Sequence, residues 1–383
     1  MSLVVFPFKR EDAEVVSRNL AIATGNFHVD EVWAIAAEEG HLTDLIRHRA
    51  TEIGSAESKP VRVIRQERIG HLRPGKGDGM NTAIRLAAET GRERVHFYDA
   101  DITNFDDSWI DGAERAADRG FGVVRHRFPR AATDAMITWM ITRPALAWLF
   151  PGSFLPMVGQ PLGGELLLRG DAVEALASSP LVSARSDWGI DTVLTYATSV
   201  LDLGLYEHHV PDGKRHTLYG SLDEIRDMAL ECLDAAGSLS GLPSPSPDAL
   251  HDVDRPAPVP EDLKRVVGYD LSATSRLLAY PWSADELELA MGLPGDVGLR
   301  LEAVQGPESA DFLDADAWIE VVAHLLGHFR LGDPAWEALA FRLWLARVLT
   351  YTTTEAIHGY DSAIAYLEST IGAYVSRSLA HSR

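Results

Sequence analysis

The stretch HFYDADI, residues 96–102, ends an apolar run on two aspartates one residue apart. Alternate side chains of a strand share a face, so this reading points Asp99 and Asp101 the same way. Two carboxylates aimed at one spot repel each other unless a cation lies between them or one keeps its proton. The stretch therefore predicts the end of a strand and a bound cation beside it.

Working outward, similar β-rich runs recur: SLVVFPF, EVWAIAA, VRVIRQE and FGVVRHRF. Between them, residues around 11–24, 41–54, 78–90 and 107–119 carry apolar side chains at three- and four-residue spacing, a helical period. Apolar strands alternating with helices predict an α/β fold whose mostly parallel sheet is covered on both faces. Ligands of such sheets bind beyond the carboxyl ends of the strands, which is where the two aspartates fall. After about residue 130 the alternation loosens. ATDAMITWMITRPALAWLF reads as a helix kinked or ended near Pro144, GGELLLRG and LYEHHVP as strands, and SDWGIDTVLTYATSVLDLG as a helix ending at Gly204. Residues 241–261 lie in a Gly/Ser/Pro-rich connector, and strand patterns vanish from 262 onward. The expected organisation is a catalytic domain over 1–240, the connector, and an all-helical subdomain over 262–383.

The chain has 383 residues and a formal net charge of −21, which argues against nucleic acid or an anionic membrane surface as partner. Its one cysteine, Cys232, permits no internal disulfide and fits a cytoplasmic setting. The longest apolar region, AMITWMITRPALAWLFPGSFLPM, is broken by Arg143 and two prolines before it could span a bilayer. The helical tail, with Trp318, Trp336 and Trp344, offers a surface for covering the catalytic domain or pairing subunits, and a homo-oligomer is expected.

Five constellations carry chemistry. Asp99-Ala100-Asp101 suits Mg²⁺ or Mn²⁺, which prefer carboxylate oxygen and bridge to phosphates; alternatively Asp101 caps the next helix. QERIGHLRPGKGDGMN (66–81) has the glycines and the Lys76 charge of a phosphate loop, although it is neither a Walker A loop nor a Rossmann fingerprint; the bland reading is a Gly-rich turn. Arg125, Arg127 and Arg130, followed by Thr133, Asp134 and Thr138, could grip a carboxylate or simply face solvent. Glu165, Asp187 and Asp191 stand among glycines and Trp188 as sugar-contacting acids. A shared helical face would bring Asp187 beside Asp191, but Asp187 reads better as a helix cap. Lys214, His216 and Tyr219 sit on one loop, where His216 could supply a nitrogen ligand to the metal of Asp101. HLLGH (324–328) has metal-ligand spacing but lacks a zinc protease's glutamate.

Taken in order, VVFPFK, QERIGHLRPGKGDGMN, HFYDADIT, RAATDAMITWMITR, QPLGGELL, SDWGIDT and KRHTLYG resemble the mannosylglycerate synthase family, retaining glycosyltransferases of the GT-A nucleotide-sugar type. The resemblance implies a GT-A, Rossmann-like nucleotide-sugar sheet and transfer of mannose from GDP-mannose to the 2-hydroxyl of D-glycerate, giving a compatible solute. It implies that Pro7, Phe8, Lys9, Glu11, Gln66, Lys76, Asp99 and Ala100 form the donor pocket. Asp101 and His216 would hold the metal, completed by the diphosphate. Arg130, Thr138 and Tyr219 would take the acceptor carboxylate, with Leu162 lining that pocket. Asp191, close to the transferred mannose, and Asp99 would be the catalytic acids. LFPGSFLPMVG and the residues around His216 depart from the family pattern, so D-lactate, glycolate or a related small hydroxy acid stays open as acceptor, and glucose as sugar. A sugar-1-phosphate nucleotidyltransferase would need a glycine-rich signature after the first strand, which VVFPFKRED lacks. A non-catalytic sugar or nucleotide binding module would need no such convergence of acids, histidine and arginines.

Overall fold

The structure is a computed structural model and describes residues 2–215, 220–256, 258–303 and 312–381. Along the chain run β1 (Ser2–Phe8), α1 (Ala13–Gly25), β2 (Val29–Ala36), α2 (His41–Glu57), β3 (Val61–Arg65), α3 (Lys76–Glu89), β4 (Arg94–Phe97), α4 (Asp107–Ala117) and β5 (Val123–Arg127). A π-helical turn (Thr138–Thr142) leads into α5 (Arg143–Leu149). Then follow β6 (Leu166–Arg169), α6 (Gly170–Ala177), α7 (Pro180–Ala184), α8 (Ile190–Val200), β7 (Leu205–His209), α9 (Arg226–Ser238) and β8 (His251–Val253). The remainder is helical: α10 (Leu271–Leu278), α11 (Ala284–Ala290), α12 (Val297–Ala303), α13 (Ala315–His328), α14 (Pro334–Thr354) and α15 (Tyr360–His381).

Two compact units result. The first comprises Met1–Pro129, Leu162–Thr217 and Pro245–Pro258; the second comprises Arg130–Pro161, Leu218–Ser244 and Val259–Arg383. Among the described residues the first unit holds an eight-stranded sheet in the order β3-β2-β1-β4-β6-β5-β7-β8. The expected strands are present, and the Pro/Ser-rich stretch adds the edge strand β8 beside β7. Most neighbours are parallel, but β6 runs antiparallel to both β4 and β5. The chain builds β1, β2 and β3 in one direction and then returns to add β4 on the other side of β1. That reversal between β1 and β4 is where an open α/β sheet forms its ligand crevice.

The core under α1 and α4 is apolar and tightly packed. Val4, Phe6, Val32, Ala34, Tyr98, Phe105 and Trp109 are all at most 3% exposed. Phe105 meets Phe6 edge-on at 5.5 Å and 89°, a geometry worth about 0.5–1.5 kcal/mol beyond area burial.

One expectation fails at the decisive stretch. The strand reading of HFYDADI, residues 96–102, extends too far: β4 ends at Phe97, and Ala100 and Asp101 form a turn. The alternation argument for Asp99 and Asp101 therefore does not apply. The cause is tertiary. Buried Asn19 of α1 donates to the carbonyls of Ala100 (3.3 Å) and Ile102 (2.9 Å), and Arg18 donates to those of Thr103 and Phe105. These bonds take the carbonyls out of any ladder and fold the backbone over. The cap reading of Asp101 also fails, since Asp106 caps α4 by accepting from the Ser108 amide at 2.9 Å.

In the second unit the kink has a backbone origin. Pro144 has no N–H for the Met140 carbonyl and its ring crowds that oxygen. The helix widens into the π-turn, and the Trp318 indole donates to the Met140 carbonyl at 2.8 Å. No helix among the described residues is long and apolar enough to cross a membrane.

Candidate active site

The site grows from the carboxyl ends of β1, β3 and β4. Pro7 near the end of β1 and Gln66 just beyond β3 approach Gly79 of α3, where an added Cβ would stand 3.5 Å from Pro7 Cβ and 3.4 Å from Gln66 Oε1. Phe8 is 3% exposed and belongs to the core, so it offers its backbone rather than its ring. Lys9 is exposed, and Glu11 accepts from the amides of Lys9 and Arg10. Burial, and to a smaller degree the charge of Asp101, push the Glu11 carboxyl upward against those bonds.

Packing accounts for two glycines of the glycine-rich segment. A Cβ on Gly77 would lie 2.5 Å from the Arg185 carbonyl, and one on Gly70 2.7 Å from that of Ala184. The first amides of α3 are also engaged, with Asp78 N donating to Ser186 O at 3.2 Å. What this packing delivers is Lys76, the first residue of α3. Its Nζ lies 2.9 Å from Asp191 Oδ2 and 3.4 Å from Asp99 Oδ1. Gly164 makes room for it, since a Cβ there would fall 2.2 Å from that Nζ.

Lys214 of the loop before Tyr219 and Glu165 of the GGELLLRG stretch, neither of which the family resemblance places in the site, complete the cluster. Lys214 Nζ lies 2.5 Å from Asp99 Oδ2 and 2.6 Å from Glu165 Oε1. Glu165 is wholly buried and stands beside Asp99 because antiparallel β6 enters where β4 leaves, pairing Phe97 with Leu166. A sheet read as parallel gives no reason to bring them together. Arg125, expected in a loop cluster, is instead interior to β5 and 1% exposed. Burial pulls its pKa below the ordinary guanidinium value, and Asp191, Glu207 and Glu165 oppose that fall.

The electrostatics follow from who faces whom. Burial works to lower the Lys76 pKa, but Asp191, Asp99 and Glu165 outweigh it and raise it. Burial works to raise Asp99, and Lys214 and Lys76 override it, holding the carboxyl well below the usual range. Glu165 moves upward through burial and the nearby charge of Asp99. Asp99 is thus the firmly ionised acid, flanked by two ammonium groups. The cation predicted beside the paired aspartates is, for Asp99, a pair of lysines.

That arrangement leaves Asp99 poorly suited to a metal and Asp101 better suited. Asp101 is half-buried in the turn and makes no ion pair among the described residues. Among those residues no group of three metal-ligating side chains forms. His216 and Tyr219 lie outside them. Ala100 is 2% exposed, and Leu162 is half-buried. Asp191 is the second residue of α8, and its Oδ1 makes no hydrogen bond among the described residues. Asp187 precedes that helix, so the two do not share a helical face. It accepts from the Gly189 amide at 3.0 Å, but it is not the cap expected of it, since Gly189 holds the cap position of α8. Arg130 and Thr138 belong to the second unit. There Arg130 pairs with Asp134 at 3.0 Å and Thr138 opens the π-turn, one residue type of helix often found at functional sites. Ala135 between them has φ +56°, a conformation that costs a non-glycine residue about 1–3 kcal/mol.

Comparison with known proteins agrees with this geometry. Residues 2–238 match the family model described as mannosylglycerate synthase, GT domain, and residues 263–371 match that of the mannosylglycerate synthase C-terminal domain. The chain is 47% identical to a mannosylglycerate synthase of Rhodothermus marinus, covering 98% of this chain and 94% of that one. It is 42% identical to one of Selaginella moellendorffii, covering 97% and 89%. Among solved structures it resembles glucosyl-3-phosphoglycerate synthase from Mycobacterium tuberculosis, crystallised with Mn²⁺, UDP and glucosyl-3-phosphoglycerate. The TM-score is 0.50 and the identity 24%, over 64% of this chain and 81% of that one, a likeness of fold. The same protein with Mn²⁺ and UDP-glucose gives a TM-score of 0.50 over 64% and 80%. With both family models and near-full-length relatives in agreement, this chain belongs to the mannosylglycerate synthase family and is a hexosyltransferase built on the GT-A fold.

Proposed function

We propose that the protein transfers mannose from GDP-mannose to the 2-hydroxyl of D-glycerate with retention of the α configuration. The observation that carries the reading is the lysine–carboxylate cluster of Lys76, Asp99, Lys214, Glu165 and Asp191 at the β1/β4 crevice of a family member. Residues 1–240 carry the chemistry in this account. Pro7, Gln66 and Gly79 wall the nucleotide, with Lys9 and Glu11 beside it. Asp99, ionised and held by two lysines, accepts hydrogen bonds from donor hydroxyls.

Asp101 fits a divalent cation, Mg²⁺ or Mn²⁺, because its carboxylate stands half-exposed and is not claimed by a lysine. His216 and the diphosphate complete that set in this reading. When bound, the cation offsets the charge that develops on the departing diphosphate. Asp191, fixed by Lys76 and buried, places negative charge near the oxocarbenium-like centre, and its unbonded Oδ1 is the atom available to it. We favour front-face attack beside the leaving group over a covalent intermediate on Asp191, since one oxygen of that acid is already committed to an ammonium group. Arg130 and Thr138 take the acceptor carboxylate, which aims its hydroxyl at the anomeric carbon.

Incubation with GDP-mannose, UDP-glucose or GDP-glucose, Mg²⁺, and D-glycerate, D-lactate or glycolate tests this reading through the nucleoside diphosphate released. Release is expected to be fastest for GDP-mannose with D-glycerate. A protein that releases nucleotide only from a glucose donor, or with none of the acceptors, would overturn it.

A further inference from the structure

Lys214 reaches Asp99 from an exposed loop, and the path by which it does so is built from named bonds. Gly213 turns the chain with φ +73°, a left-handed conformation that favours glycine. Asn104 then clasps the segment on both sides: its Nδ2 donates to the Gly213 carbonyl at 2.9 Å, and its Oδ1 accepts from the Arg215 amide at 2.8 Å. Thr103 adds its amide (2.8 Å) and hydroxyl (3.1 Å) to the Arg215 carbonyl. Thr103 and Asn104 directly follow the Asp99–Ile102 turn, so the carboxylate and the lysine that holds it are stapled to one another. The inner end of Lys214 rests on Glu165, which is 0% exposed, and the ammonium-bearing side chain is itself 8% exposed.

An aspartate that is 29% exposed would ordinarily swing about its last torsion. Here Oδ2 is fixed by Lys214 at 2.5 Å and Oδ1 lies 3.4 Å from Lys76, which leaves one orientation. Each carboxylate oxygen has a second acceptor direction, and these are what a hydroxyl of the transferred sugar could use. We propose that Lys214, seated on Glu165 and clasped by Asn104, is a positioning residue that aims the Asp99 carboxylate at the hydroxyls of the donor's sugar side. The inference rests on the donor reading above and extends it to Lys214 and Asn104, which that reading leaves without a part.

The test compares GDP with GDP-mannose, each with Mg²⁺, in the full-length wild type, Lys214→Met and Asn104→Ala, by calorimetric affinity and by the split of kcat and KM. Lys214→Met should raise the donor KM tenfold or more while leaving GDP affinity within about twofold, and Asn104→Ala should move the same parameters less far. Should Lys214→Met fail to fold, Asn104→Ala decides alone, because it leaves every charge of the cluster in place. Restoration of the donor KM by Lys214→Arg would support the assignment. An equal loss for GDP and GDP-mannose would mean that Lys214 serves the diphosphate and would overturn the inference alone, as would unchanged donor kinetics. A wild type that binds neither ligand would overturn the donor reading and the inference with it.

Discussion

Lys76 Nζ and Asp191 Oδ2 stand 2.9 Å apart across 115 residues of sequence, both side chains at most 9% exposed. The contact ties the first residue of α3 to the first turn of α8. Breaking a buried pair by removing one partner leaves an uncompensated charge, which typically costs about 3–5 kcal/mol.

Gly164→Ala probes that contact without removing it. The new Cβ meets the far end of a flexible side chain, 2.2 Å from Lys76 Nζ and 3.0 Å from its Cε. The fold should survive with a thermal midpoint close to wild type. The ammonium must move by an ångström or so, and a displacement of that size can lower catalysis by about 10²-fold. Steady-state kinetics of nucleotide release would show it; full activity in a folded Gly164→Ala would mean the position of Lys76 is not critical.

Asn19→Ala should destabilise the first unit, because two buried carbonyls, those of Ala100 and Ile102, lose their donor. A loss of about 1–3 kcal/mol is expected from unpaired buried polar groups. Urea unfolding measures it directly, and activity measured well below the transition should also fall as the turn bearing Asp101 loosens.

Arg130→Ala should raise the acceptor KM with little change in the donor KM. Substrate titrations in both directions distinguish the two. A change confined to the donor would assign Arg130 to the wrong substrate.

Stability should fall as pH drops from about 7.5 to 5.5. Burial holds His96 below the ordinary imidazole value despite Glu114, and holds His126 well below it, with His208 and His96 adding to the effect. The unfolded chain binds these protons from about pH 6.5 downward, and the folded chain does not. Protonation therefore favours the unfolded state, by up to about 1.4 kcal/mol per pH unit for each group. His126→Gln, which retains a hydrogen-bonding side chain beside Tyr98, should flatten the slope of urea midpoint against pH. An unchanged slope would place the acid sensitivity elsewhere.

Much of the fold is legible in local pattern. Continuous apolar runs such as Val4–Phe6 and Val32–Ala36 mark central strands, and Asp12 and Asp333 cap the helices that follow them. Strand direction is not legible in the same way: nothing in LLLR, residues 166–169, states that it runs against its neighbours. That one reversal brings Glu165 to Asp99. Nor does sequence spacing reveal Asn19, whose role is to bend a turn 81 residues away. Arg125 reads as one of a surface cluster until the sheet is seen to bury it. The site residues legible from motifs are those on the loops next to strands, while their supports depend on packing between distant segments.

The central claim concerns Asp101 and a divalent cation, and one measurement addresses it most directly. Metal-stripped wild type and Asp101→Ala are each incubated with GDP-mannose and D-glycerate, with and without added Mg²⁺, and the anomeric proton of any product is followed by NMR. The account predicts an α-mannoside only from the wild type with Mg²⁺. An Asp101→Ala protein that forms product at near wild-type rate, or a stripped wild type indifferent to Mg²⁺, would contradict it.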